Sequence, residues 1–270
     1  MISLLPIAFI TFKEGIRNRA IYGLSLFAFL LFAANFLVAA IIPIEVGKVA
    51  VDFTLSITSI AGVLFVLFVG INLMAKDLDK KTIYMILSRP ISRSQYIYGK
   101  FAGMILLICV MMSFLGILSI LSLSLLKGMY PFSFERIAWF TVILSLFYET
   151  LMLLLLSALS FLFASLTSSS FITLVFTILA YIIGQSIQDV KMLIEAPQVV
   201  GIHVSSWTLK LVQAAYYVFP NLSVFDIKTH AANGLVVSSA SIFWTVLYGV
   251  VYTTLAISFA AIIFRKKEFP

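Results

Sequence analysis

Apolar positions run along this chain in long unbroken stretches rather than in alternation. Six stretches are long enough to cross a bilayer: Ile21–Ile42, Phe53–Ala75, Phe101–Leu126, Ile137–Leu166, Ser170–Ile187 and Ile242–Phe264. A span needs roughly 20 mostly apolar residues at a rise of about 1.5 Å each. Inside hydrocarbon each must be helical, because only a helix satisfies its own backbone groups. Continuous runs also differ from the short alternating segments of a barrel. The fourth run exceeds what a span requires, so it must tilt, kink or project. The pattern predicts an all-α polytopic membrane protein with six transmembrane helices, an N-terminal interfacial helix and amphipathic outer helices before the last span.

Between the runs, polar residues divide the chain into segments. Residues 1–20 read as an interfacial helix, apolar early and basic late, with Lys13, Glu14 and Arg17 on it. Spans one and two occupy 21–75, a cytoplasmic loop 76–100, spans three to five 101–187, an outer segment 188–241, and span six with a basic tail 242–270. The outer segment is too long for an idle loop. Within it Trp207, Leu211, Ala215 and Val218 share one helical face and Ser206, Lys210 and Gln213 another. Phe219-Pro220-Asn221 stops that helix.

Composition rules out a water-soluble domain. Of 270 residues, 62% are hydrophobic and 11% charged, against about 25% charged in soluble domains. The lipid bilayer is therefore the expected surrounding. The net charge is +7, but the basic residues sit in clusters beside apolar runs. That is a topology signal and predicts no nucleic-acid partner. With the N-terminus in the cytoplasm, 12 of the 18 lysines and arginines fall on the inner side, which predicts both termini cytoplasmic in a bacterial inner membrane. Lys13, Arg17 and Arg19 follow the first short apolar stretch instead of preceding it, unlike a cleavable signal peptide. The lone Cys109 can form neither an internal disulfide nor a cysteine-based metal cluster.

The loop from Lys76 to Gly103, KDLDKKTIYMILSRPISRSQYIYGKFAG, carries the most information. It predicts a short helix over about Leu78–Ser88, with Asp77 and Asp79 near its positive N-terminus. Pro90 ends that helix by biasing Arg89 away from helical geometry. Ser92 and Gln95 then fit a capping box, with Ile91 and Tyr96 placed as a hydrophobic staple. The helix begun there continues into span three, so a push on the short helix would tilt that span.

The order of Asp77, Asp79, Thr82, Ser88-Arg89-Pro90, Ser92-Arg93, Tyr96 and Gly99-Lys100 resembles the coupling loop of ABC transporter permeases of the type-two exporter class. Phe12-Lys13-Glu14 with Arg17 and Arg19 is similar to that family's interfacial helix. Phe219-Pro220-Asn221 with Phe225-Asp226 resembles a segment before its last span, and Phe264-Arg265-Lys266-Lys267 its basic ending. Lys81 departs from the pattern, where relatives often carry glycine. The resemblance implies a membrane permease forming the path of an ATP-driven exporter. It implies two partners: an ABC nucleotide-binding (ATPase) subunit and a second permease subunit, identical or related. It also implies that Asp77, Asp79, Thr82, Arg89, Pro90, Arg93, Tyr96 and Lys100 couple to the ATPase.

No G-x-x-x-x-G-K-[ST] loop is present, so this chain is expected to be a transport subunit and not an enzyme, with ATP and magnesium on the partner. No catalytic or metal-ligating set stands out; His203 and His230 read as solvated outer residues. Glu149 is the one acid well inside a span, which makes it the candidate translocation-path residue, against the alternative of a carboxyl buried between helices. Gly99 with Gly103, and Gly62 with Gly70, allow close helix approach either within the subunit or at a dimer seam. An ion-coupled secondary transporter would usually need several intramembrane ionisable residues. A scaffold without transport would have no use for the stiff basic loop.

Overall fold

The computed structural model describes residues 4–42, 45–74, 92–167, 169–195 and 218–267, together with 207, 214 and 216. Six helices are long and apolar enough to cross a membrane: α2 (Arg19–Ile41), α3 (Val46–Met74), α4 (Arg93–Met129), α5 (Trp139–Leu166), α6 (Ser170–Glu195, apolar to Met192) and α8 (Ser239–Lys266). A shorter α1 (Leu4–Ile16) precedes them and α7 (Lys228–Ala232) lies before the last. There is no strand among the described residues. The six sequence-predicted spans and the interfacial helix each have their counterpart. The chief differences are at helix ends. α3 starts seven residues before the predicted Phe53 and α6 runs eight beyond the predicted Ile187, because polar ends of helices continue past the apolar core.

The longest helix is α4, with 37 residues and therefore about 55 Å in length. Its start is fixed by the predicted capping box. Gln95 N–H donates to Ser92 Oγ at 3.2 Å, and Ser92 N–H donates to Gln95 Oε1 at 3.0 Å. At the start of α2, the Asn18 carboxamide oxygen accepts from Ala20 N–H. Near the end of α3 the ladder widens to a π turn at Val66–Gly70, then resumes.

Burial separates central from peripheral helices. Over its most apolar stretch α3 is 78% buried and α5 67%, whereas α2 is 22% and α6 and α8 are 28%. The main core joins α3, α4, α5 and α8, and a smaller one at the far end gathers Val46, Ala50, Phe134, Ile137 and Ala231. α1 lies on α4, where Gly99 faces Ile7 and Gly103 faces the Ala8 carbonyl and Thr11; a Cβ at Gly103 would meet both at 2.6 Å. This G-x-x-x-G pair thus serves contact within the subunit. Gly62 and Gly70 do the same against Leu153 and Met104. A buried polar seam ties α2, α3 and α4: Asn35 Nδ2 donates to Thr54 Oγ1 at 2.6 Å and to Ser122 Oγ at 3.4 Å, and Thr58 pairs with Ser119 at 2.9 Å. Such bonds replace the hydrophobic drive that is missing between helices in lipid.

The helices alternate in direction, so the bundle has two distinct ends. One end collects the start of α2 and α4, the ends of α3, α5 and α8, and most of the described basic residues; it is called the basic end below. At the far end the connections interlock. Thr141 Oγ1 donates to Leu235 O at 3.0 Å. Gly234, at φ +70°, lies against the Arg136 carbonyl, where any side chain would collide and strain the backbone.

Candidate functional site

Two polar clusters carry chemistry. The first is the joint at the basic end, built on the first two turns of α4. Arg93 guanidinium donates to the carbonyls of Lys267 and, at 3.4 Å, Arg265, reaching the end of α8. One turn on, the Tyr96 ring stacks on Phe264 of α8 with centroids 5.8 Å apart. A further turn on, Lys100 Nζ donates to the Leu73 carbonyl at the end of α3 and sits 5.5 Å from the Tyr96 ring centre. Lys100 is only 3% exposed. Positions 93, 96 and 100 fall on one helical face by the i, i+3, i+4 rule, and that face points into the bundle. Lys267 completes the joint by donating to the carbonyls of Ser165, at 3.2 Å, and Thr167, which end α5. Burial pushes its ammonium below the usual lysine pKa. The carbonyls at a helix C-terminus lack partners within the helix and carry partial negative charge, so cations satisfy them well.

The structure therefore brings Arg93, Tyr96 and Lys100 together and turns them inward. They tie α4 to α3, α8 and, through Lys267, α5. Asp77, Asp79, Thr82, Arg89 and Pro90 lie outside the described residues, as does Ile91 of the staple. Lys13, Glu14 and Arg17 lie exposed on α1 and its following turn, beside the end of α3. Gly99, on the α4 face next to Lys100, seats α1 against the same helix.

The second cluster surrounds Glu149 on α5. Glu149 is 7% exposed, and among the described residues neither its Oε1 nor the neighbouring Tyr148 Oη completes a hydrogen bond, although Thr245 of α8 lies beside the Tyr148 hydroxyl. Ser59 of α3 lies beside both Glu149 and Tyr181 of α6. Lys228 and Asp226 act on the Glu149 carboxyl electrostatically and pair with each other at 3.3 Å. They arrive on a segment that dips from the far end into the bundle. Leu222 N–H donates to Gly184 O at 2.9 Å, and Asn221 N–H to Tyr248 Oη at 2.7 Å, so this segment lies between α6 and α8. Gly184 is about 16 Å back from the end of α6 at 1.5 Å per residue. Phe225 then packs edge-on against Tyr148 and beside Tyr248.

Sequence reasoning placed Glu149 inside a span but missed Ser59, Tyr181, Asp226 and Lys228 as its surroundings. The one signal was the Phe219-Pro220-Asn221…Phe225-Asp226 stretch, whose apolar and turn residues suited burial. Of the amphipathic outer helix, only Trp207, Ala214, Tyr216 and Val218 are described, each helical, with Lys191 4.1 Å from the Tyr216 ring centre. Among the described residues no group of histidine, cysteine, aspartate or glutamate is arranged to hold a metal.

A family model described as ABC-2 family transporter protein matches residues 5–269. A comparison with curated proteins finds no match. The family match runs from the first residues of α1, through the joint on α4 and the dipping segment before α8, to the basic tail. The resemblance first seen in the loop before α4 thus extends over nearly the whole chain: it belongs to the ABC-2 transporter family and is the multi-pass membrane permease subunit of an ABC transporter.

Proposed function

We propose that this permease works as an exporter driven by a separate ATPase chain, which docks on the segment preceding α4. ATP and magnesium would be bound and hydrolysed on that partner. A second permease subunit, identical or related, would complete the path. The basic end would face the cytoplasm of a bacterial inner membrane, with both termini there, as the distribution of lysine and arginine favours.

The observation that carries this reading is the joint. A force on the segment before Ser92 enters α4 at its capped first turn. From there Arg93, Tyr96 and Lys100 pass it at once to the ends of α8 and α3, and Lys267 passes it to α5. A peripheral helix tied to one neighbour could not move three spans together. Glu149 sits along the path as the carboxyl whose partners change when those spans move. Asp77, Asp79, Thr82, Arg89 and Pro90 are proposed as the surface the ATPase grips.

Co-expression with candidate ATP-binding subunits tests this directly. Co-purification of a stoichiometric complex, with loss of that complex on Arg89→Glu and unchanged unfolding temperature of the permease, is the expected result. No complex with any ATP-binding subunit, or labelling of the basic end from outside intact cells, would overturn it.

A further inference from the structure

A cleft of about 650 Å³ opens at the basic end between α1, the start of α2 and the end of α3. It presents the side chains of Lys13, Arg17 and Arg19 against a single carboxylate, Glu14, with Asn18 and Asn72 beside them. Among the described residues, none of the three cations is held in an ion pair. The cleft therefore carries positive charge in excess of what Glu14 offsets. The N-terminus of the 23-residue α2 faces the same space through Arg19, its first residue, and Asn18, its cap. That end adds partial positive charge suited to an oxyanion.

What surrounds the cleft tells whose phosphate fits it. On α1, Leu5, Phe9 and Ile10 are more than 60% exposed, while Ala8, Thr11 and Gly15 are buried toward α4. On α2, Tyr22, Leu26 and Phe29 are exposed likewise. An apolar groove of about 240 Å³ begins at the same α1–α2 turn, lined by Ile16 and Ile21 and running along Phe65, Leu107, Val110 and Phe114. A basic cleft and an apolar groove thus border one turn, in a chain that crosses the bilayer. A soluble phosphate would use the first and leave the second empty.

We propose that these two features form one lipid site: the cleft takes the phosphate headgroup of an anionic phospholipid from the leaflet at the basic end, and the groove takes one of its acyl chains. The site goes beyond the transport reading and does not depend on it. Leu73, whose carbonyl receives Lys100, also lines the cleft. A bound lipid would thereby brace α1 and α2 against the same end of α3 that the joint holds.

The test uses the purified full-length chain in mild detergent, titrated with phosphatidylglycerol, phosphatidylcholine, or inorganic phosphate. Bound lipid is read by native mass spectrometry and thermal shift. Phosphatidylglycerol should bind at one retained site and raise the unfolding temperature, with phosphatidylcholine at least tenfold weaker and phosphate without effect. Lys13→Gln/Arg17→Gln/Arg19→Gln should lower phosphatidylglycerol affinity at least tenfold. All three side chains are exposed, so the lipid-free unfolding temperature should stay unchanged. Ser25→Trp, which fills the groove without touching the cations, should also weaken phosphatidylglycerol binding several-fold. Unchanged phosphatidylglycerol affinity in the triple variant would overturn the site. Equal stabilisation by inorganic phosphate would overturn its lipid character.

Discussion

The joint and the Glu149 cluster bury ionisable groups in opposite ways. At the basic end, Lys100 and Lys267 each point at backbone carbonyls that close neighbouring helices, and Arg93 does the same. Further along α5, Glu149 Oε1 and Tyr148 Oη complete no hydrogen bond among the described residues, although Ser59 and Thr245 lie beside them. A buried polar group that is satisfied stiffens its surroundings, while one left unsatisfied costs free energy that a different arrangement can recover. The contrast assigns the two clusters separate work. On the proposed reading, the joint would transmit movement without yielding, and the Glu149 region would be where the spans rearrange. The charged pair that influences Glu149, Asp226 with Lys228, arrives on a dipping segment instead of a spanning helix, which fits a place that moves.

Four substitutions test whether the two clusters differ in this way. Tyr96→Ala should have the largest effect, because a fully buried ring stacked on Phe264 is removed. A loss of about 3 kcal/mol is expected, seen as a lower unfolding temperature in detergent together with ATP hydrolysis no longer linked to transport. Lys100→Met keeps the stem but leaves the Leu73 carbonyl without its donor, at a cost of ~2 kcal/mol. The same thermal measurement should rank it below Tyr96→Ala. Gly234→Ala probes the far-end interlock, where φ is +70° and the Arg136 carbonyl is close. It should cost about 1 to 2 kcal/mol while leaving ATPase coupling intact, which separates plain stability from the joint. Glu149→Gln should have the smallest effect on stability, within about 1 kcal/mol of wild type, because it removes a buried carboxyl that lacks a full set of partners. Transport assayed in proteoliposomes should nevertheless fall. If transport and ATPase activity are both untouched, Glu149 leaves the mechanism; if its loss unfolds the protein as Tyr96→Ala does, the contrast between the clusters disappears.

Much of the fold was legible because lipid imposes strong rules on sequence. A run such as Phe101–Leu126 has no stable alternative to a spanning helix, and the Ser92–Gln95 box marked the start of α4 to the residue. Lys and Arg placement along the chain indicated that one end of the bundle would be the more basic. The sites were less legible. Arg93, Tyr96 and Lys100 were singled out, yet nothing local indicated that they reach the ends of α3 and α8. The roles of Gly99 and Gly103 stayed open until α1 was seen on top of them. Lys267 read as one more topogenic cation, although its ammonium closes α5.

Six apolar helices, their alternation and the family could all be read along the chain, because they follow from apolar length, backbone satisfaction and motif order. Which polar groups meet was visible only once the helices were packed. Arg93 and Lys267 stand 174 residues apart along the chain, and Glu149 and Lys228 on separate segments; whether such groups find a carbonyl, a counter-charge or nothing depends on helix packing, which no local pattern encodes.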